Sequence, residues 1–384
     1  MKSTISLFLI LLFSVNLNYA SQGMGPGPGA YYVAGGGSPA SYSYGPFTID
    51  HTKCGTADSS SFPVYFTITD AALKSEANGG HVHFTTGNDI WACSDATCSG
   101  TRYPVEKTVY DPVNGILHAY AAMPVTYASN TQFHLSYGGT VGAARPDTST
   151  DSTYGSAKVW DPHFQYVLHL NGYPSTLNVN DSTGNSTNGS NNGATSAVGQ
   201  VDGGANFNGS SFVAVANIAV GSEPFMVCQS IYPTNVTSTS ISWAAMFYDM
   251  YEPSGWFISI SSGSLQFTAT DNWAYSSPPT ASVSANTWYR VCAMETSTSS
   301  RSLYVNGVLI GTNTTYRHPD YVSNGYIGRR PDGLYFNGVI DETEVSTGIN
   351  RGIDWIKTDY NNLNNPTVGG SNPFFTSFGS EASH

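Results

Sequence analysis

The feature that most restricts this chain is a series of short apolar segments, evenly spaced between Gly204 and Val345 and each closed by a turn signal. Leu303-Tyr304-Val305 and Val308-Leu309-Ile310 flank Asn306-Gly307, the pair that best accepts positive φ at both turn positions. Ile258 and Ile260 face Leu265 and Phe267 across Ser262-Gly263 in the same way. Strands predicted every 8–12 residues or so, over this length, close into a sandwich or barrel and leave little room for helices. The one late helix expected is capped by Asp354 and runs from Trp355 to Leu363.

Composition agrees. Charged residues make up 10% of the chain, against about 25% in ordinary globular proteins. Gly, Ser, Thr, Asn and Tyr replace them, which favours strands and turns over helices. The same logic extends upstream. Val64, Phe66 and Ile68 alternate with Tyr65, Thr67 and Thr69, predicting a half-buried strand, and Asp70 caps a predicted short helix over 71–77. Further strands are expected at 82–84, 105–110, 116–121 and 131–137. The fold class is therefore all-β, with two tandem β-sandwiches.

The expected organisation is a signal peptide at 1–20, a Gly/Pro/Tyr-rich linker at 21–46, a β-sandwich at 47–142, a linker at 143–157, a second sandwich at 158–364 and a flexible tail at 365–384. Lys2, the apolar run Ile5–Val15 and Ala20 read as a secretory signal cleaved after Ala20, with an uncleaved anchor as the alternative. That places the chain outside the cell or on its surface, with no membrane insertion after cleavage. Net charge is −12, and the 14 Lys and Arg residues form no cluster, which argues against a nucleic-acid partner. Of five cysteines, Cys93 and Cys98 bracket a tight loop suited to a disulfide in an oxidising compartment. Cys228 and Cys292 are either cross-strand partners or two buried thiols. Cys54 is left over, either buried and inert or paired with another chain.

Stretches across residues 160–364 resemble the laminin-G-like (concanavalin A-like lectin/glucanase) jelly roll of bacterial surface proteins. They include VWDPHFQYVLHL (159–170), DSTGNSTNGS (181–190), GGANFNGSSFVAV (203–215), LYVNGVLIG (303–311) and YIGRRPDGLYFNGVIDETEVSTG (326–348). Residues 47–140, through FTIDHTKC (47–54), FPVYFTITDAALKSEANGGHV (62–82) and PVEKTVYDPVNGILHAYAAMP (104–124), resemble an uncharacterised secreted family, domain of unknown function 2341. The resemblance implies fold and a lectin-like, adhesive or enzyme-accessory role; fold alone does not choose among these. It departs from the family at Asn208 and Ser210, where relatives carry Asp in a calcium-binding loop.

Sugar binding needs exposed rings to stack on pyranose faces and polar groups to bond hydroxyls. Tyr251, Trp273 and Tyr275 lie in an aromatic-rich segment, with Arg329 and Arg330 as polar partners. Carbohydrate or cell-surface glycan is thus the expected partner of a non-catalytic binding or adhesion protein. A structural surface or filament subunit and a polysaccharide-active glycosidase are the alternatives. No catalytic residue is assigned. The one carboxylate cluster, Asp341-Glu342-Thr343-Glu344, would place Glu342 and Glu344 on one strand face, roughly 7 Å apart. It lacks the Glu-x-Asp-x-x-Glu spacing of sandwich glucanases. No cofactor is required. A structural calcium is expected where the oxygen-rich Asp181–Asn185 turn meets Asp341, if the first and last jelly-roll strands adjoin; otherwise Asp181 and Asn185 satisfy turn amides. His81, His83, His118 and His134 offer no third convergent ligand for zinc. Six Asn-x-Ser/Thr sequons are glycan acceptors only in a eukaryote.

Overall fold

The alternation read from the sequence becomes four β-sheets. The structure is a computed structural model that describes residues 40–143, 145, 151–219, 221–247, 253–271, 274–275, 277–317, 319, 322–369 and 372–384. The expected signal peptide and the expected linker up to residue 39 lie outside the described residues, as do Tyr251 and Trp273.

The first sandwich packs a three-stranded sheet (Ser59–Thr69, Ile116–Val125, Val105–Asp111) on a six-stranded one. In the larger sheet Tyr42–Ile49 pairs with Thr131–Tyr137, which pairs with Trp91–Cys93 and then Arg102–Tyr103. Phe47 and Phe133 stack at 4.8 Å, and Phe66 closes on both at 5.4 and 5.3 Å. The expected linker boundary at 46 is too late, because the first strand starts at Tyr42 and its Tyr44 is already buried. The helix expected over 71–77 is instead two 3-10 turns, Ala71–Leu73 and Glu76–Asn78. Asp70 does cap the first, its carboxylate accepting from the Ala72 N–H.

Part of the expected flexible tail is ordered sheet. Phe375–Ser377 and Ser380–Ser383 both pair antiparallel with Tyr42–Ile49. They bury Phe374 and Phe375, and Phe378 packs on Phe47 at 4.7 Å. The edge of the first sandwich is thus completed by the far end of the chain.

The second sandwich is a jelly roll of two eight-stranded sheets. One holds Phe225–Pro233 between Tyr289–Ser297 and Asn337–Thr347, the last also pairing with Phe164–Leu168. The other holds Ser240–Phe247, Ser254–Ser261 and Ser264–Asp271 side by side. Trp243, Trp256, Phe207, Phe225 and Phe267 fill the space between. Both predicted turns are present, with φ +51° and +74° at Asn306-Gly307 and +48° and +74° at Ser262-Gly263. The Cys93–Cys98 disulfide forms. Cys228 and Cys292, directly opposite one another, also form a disulfide, which resolves the alternative. Cys54 is buried with a free thiol, as its inert reading requires.

Tandem domains joined by a linker understate the packing, since residues 38–384 form one compact unit. The apolar cluster of the first sandwich continues into the outer face of the first jelly-roll sheet through Met226, Cys228, Cys292, Met294 and Tyr304. This explains Tyr65, which alternation assigns to solvent but which is 1% exposed. The late helix, Gly352–Asn364, starts slightly earlier than expected and sits beside the same junction. Among the described residues, no helix is long and apolar enough to cross a membrane.

Candidate functional site

Two places gather chemistry: the outer face of the second jelly-roll sheet and the junction between the sandwiches.

On the outer face, alternation sends Trp243, Trp256, Ile258 and Phe267 inward and leaves Phe257, Ser259, Gln266 and Thr268 on the other side. Phe257 sits in a small second cluster with Ile241, Ala244 and Met246, against which Leu334 packs. The guanidinium of Arg330 lies 4.7 Å above the Phe257 ring and is held by Asp332 at 2.6 Å. Tyr275 meets Phe257 edge-on at 6.3 Å and is 39% exposed. These groups, with Thr239, Ser259, Ser261, Gln266, Thr268 and Pro278, line a groove of about 290 Å³. It offers an aromatic floor, a cation and a row of hydroxyl and amide groups. Of the expected ligand-binding residues, Tyr275 and Arg330 are brought together. Arg329 points elsewhere, among the rings of Phe212, Tyr326 and Tyr335 at 4.4, 4.8 and 5.5 Å. Phe257 was not singled out in the sequence, because a phenylalanine inside a strand reads as core.

At the junction, Asp341 and Glu342 have no exposed surface and Glu344 has 2%. A bulge, with φ +48° at Glu342, breaks the register there. Thr343 turns inward to the amide of Gln229, which donates to it at 3.0 Å. The stretch is sealed rather than open to a cleft, so no polysaccharide can reach between its carboxylates. Arg290 donates through Nε to Asp359 at 2.8 Å and through Nη2 to Glu344 at 2.7 Å. His169 Nδ1 lies 2.8 Å from Glu342, and its Nε2 lies 3.4 Å from Glu106, which accepts from Trp160 Nε1 at 2.6 Å. Burial opposes a charged imidazole, but Glu342 and Glu106 on either side overcome it and hold the His169 pKa well above its ordinary value. Burial, then the neighbouring Glu342 and Asp202, push the Asp341 pKa well up. Glu344 is raised to about 8, again mainly by burial, against the pull of Arg290. Sequence reasoning missed Glu106, His169, Asp202, Arg290 and Asp359. The available signal was a charged residue inside an apolar strand, as in Trp-Tyr-Arg-Val-Cys, in a chain with few charges.

The expected calcium residues are not gathered. The first and last jelly-roll strands do adjoin. Asp181, however, accepts from Val167, Thr183 and Thr187 backbone N–H groups and from both threonine hydroxyls. Asn185 Nδ2 donates to the carbonyls of Phe164 and Gln165. Both satisfy turn and strand groups. Asp341 instead groups with Asp202 and Glu342, an acidic set whose carboxylate oxygens lie close enough together to hold a metal ion. The histidines disperse: His81 bonds Glu381, His83 bonds Glu76, and His118 lies 3.0 Å from the Tyr65 hydroxyl.

Residues 207–348 match the family model of the concanavalin A-like lectin/glucanases superfamily. The second sandwich is a concanavalin A-like jelly roll, and the fold is two β-sandwiches. In structure the chain is similar to domain 4 of AbnA, a GH43 extracellular arabinanase from Geobacillus stearothermophilus, in complex with arabinotriose. Identity there is 16%, the match covers 51% of this chain and 97% of that one, and the TM-score is 0.43. It is also similar to the binding domain of Paraclostridial Mosquitocidal Protein 1 (16% identity, 52% of each chain, TM-score 0.42). A third similar structure is the receptor binding domain of botulinum neurotoxin D (15% identity, 52% of each chain, TM-score 0.41). The match spans about half the length of the two toxin domains. No curated protein matches the chain in sequence.

Proposed function

We propose that the protein is a non-catalytic glycan-binding protein of the cell exterior, taking its ligand on the outer face of the second jelly-roll sheet. The observation that carries this reading is the grouping of Tyr275, Phe257 and Arg330 over a strip of Ser, Thr and Gln side chains. A sugar ring has an apolar face for the aromatic pair and hydroxyls for the arginine and the strip. Tyr251 and Trp273 belong to the same sequence region and are proposed as further contacts. The two disulfides favour an oxidising compartment, and the N-terminal leader pattern supports secretion. The binding requires no cofactor.

Affinity electrophoresis in gels containing neutral polysaccharides, arabinan and xylan among them, tests the reading. Retardation on at least one gel is expected, weakened roughly tenfold by Tyr275→Ala and by Arg330→Ala, as loss of a stacking or charge-assisted contact predicts. Migration unchanged on every gel sinks it.

One feature favours the second reading, a self-assembling surface subunit. The strand Val308–Asn313 ends its sheet and exposes Val308, Leu309 and Ile310 in succession. Such an edge invites pairing with another strand. Light scattering that finds only monomer at high concentration removes this reading.

A further inference from the structure

The junction between the sandwiches holds more carboxylates than its own cations pair with. Six buried carboxylates lie in it: Glu106, Asp202, Asp341, Glu342, Glu344 and Asp359. Arg290 is committed to Glu344 and Asp359, and His169 to Glu342 and Glu106. Among the described residues, Asp202 and Asp341 have no side-chain cation. They nonetheless lie with Glu342 so that one carboxylate oxygen from each falls within 4.8 Å of the other two.

The hydrogen bonds at the junction add an independent sign. Asp341 Oδ2 accepts from the Gln200 and Val201 N–H groups at 2.7 and 3.1 Å, which folds the 199–203 loop over the strand. Among the described residues its Oδ1 has no partner, and neither oxygen of Asp202 has one. Among the described residues, two neutral oxygens at the junction are also buried and unpartnered. Tyr120 Oη comes from the first sandwich, and Glu342 and Asp202 are the charges that act on it most strongly. Ser230 Oγ belongs to the residue directly opposite Asp341 in the sheet. Leaving a buried carboxylate oxygen unpaired costs kilocalories. Several such oxygens converging from separate elements imply a shared partner.

We infer that Asp202, Asp341 and Glu342, with Tyr120 and Ser230, form a binding site for one calcium ion that fastens the jelly roll to the first sandwich. The donors are all oxygen, so the site suits a hard cation. Their origin in a loop, two jelly-roll strands and a neighbouring sheet suits the flexible, irregular coordination of calcium better than the strict octahedron of magnesium. Thiolates are absent from the set, and the His169 imidazole is already bonded to Glu342. The ion supplies the missing positive charge and bridges Tyr120 on one sandwich to Asp202 and Asp341 on the other. Its role is structural and independent of whether the outer groove binds a glycan.

The full chain tests this directly. Elemental analysis of the purified protein, followed by chelation and calorimetric titration with calcium chloride, is expected to give one calcium per chain. The melting temperature of the chelated protein is expected to rise by several degrees at millimolar calcium. Asp202→Asn is the diagnostic variant, because Asp202 makes no hydrogen bond that the amide would disturb. It is expected to fold, to bind calcium about tenfold more weakly or worse, and to lose most of the calcium-dependent rise. Wild-type protein that carries no calcium, takes none up after chelation and melts at the same temperature with or without it overturns the inference. So does Asp202→Asn with undiminished affinity. Should that variant fail to fold, the wild-type titration alone still decides.

Discussion

Asn362, near the end of the late helix, closes both hydrogen-bonding positions of Tyr65 in the first sandwich. Its Oδ1 accepts from the Tyr65 N–H at 2.7 Å, and its Nδ2 donates to the Tyr65 carbonyl at 2.7 Å. Tyr65 lies on Ser59–Thr69, an edge strand of the three-stranded sheet, so one buried amide does there what a neighbouring strand would do.

Asn362→Ala is therefore expected to leave two buried backbone groups without partners. At about 1–3 kcal/mol for each, the loss should be a few kcal/mol, well above the cost of an ordinary surface change. Urea unfolding followed by circular dichroism measures it. A midpoint within error of wild type would show that the pairing contributes nothing.

Removing residues 373–384 should loosen the first sandwich and spare the jelly roll. Phe374 and Phe375 are fully buried, and burial of one such ring stabilises by about 1.5–3 kcal/mol. Hydrogen exchange is the suitable readout. Amides of Tyr42–Ile49 should lose protection, while those of the hairpin Ser300–Asn313 keep theirs. Uniform loss across both regions, or none, would contradict the expectation.

Glu295 predicts a pH dependence. It is fully buried and accepts from Trp256 Nε1 at 2.8 Å and Arg301 Nη1 at 3.3 Å. Burial raises its pKa to about 7, against the opposing pull of Arg301 and Trp256. Between its ordinary value of 4.5 and about 7, the folded chain keeps a proton that the unfolded chain has released. Stability must then fall as pH rises through that window, by up to about 1.4 kcal/mol per pH unit from this group. Glu295→Gln removes that share, so the variant's urea midpoint should decline less than wild type between pH 5 and pH 7. Parallel declines would show that Glu295 is ionised throughout.

The sheets were legible in the sequence where the signal is local. Alternation and the Asn306-Gly307 turn act within a few residues, and the structure reproduces both. What escaped was set by distant partners. Tyr65 alternates as a solvent-facing residue and is buried only because the other sandwich covers it. Phe374 and Phe375 stand in a short, Gly- and Ser-rich stretch with no period, and their partner strand lies at the opposite end of the chain. At the candidate binding face, aromatic density pointed to Tyr275 and consecutive arginines to Arg330. The sequence had no means of separating Arg330 from Arg329, whose side chains part company across one peptide bond. Asp202, between Val201 and Gly203, gave no signal, because nothing local reveals the carboxylates that the last jelly-roll strand brings beside it.

Thr376 donates to the carbonyl of Thr48 across 328 residues of chain. The opening strand of the first sandwich and its mate are thus separated in sequence by the whole jelly roll. Contacts of such separation close slowly, so this edge of the first sandwich is expected to be among the last parts of the fold to mature.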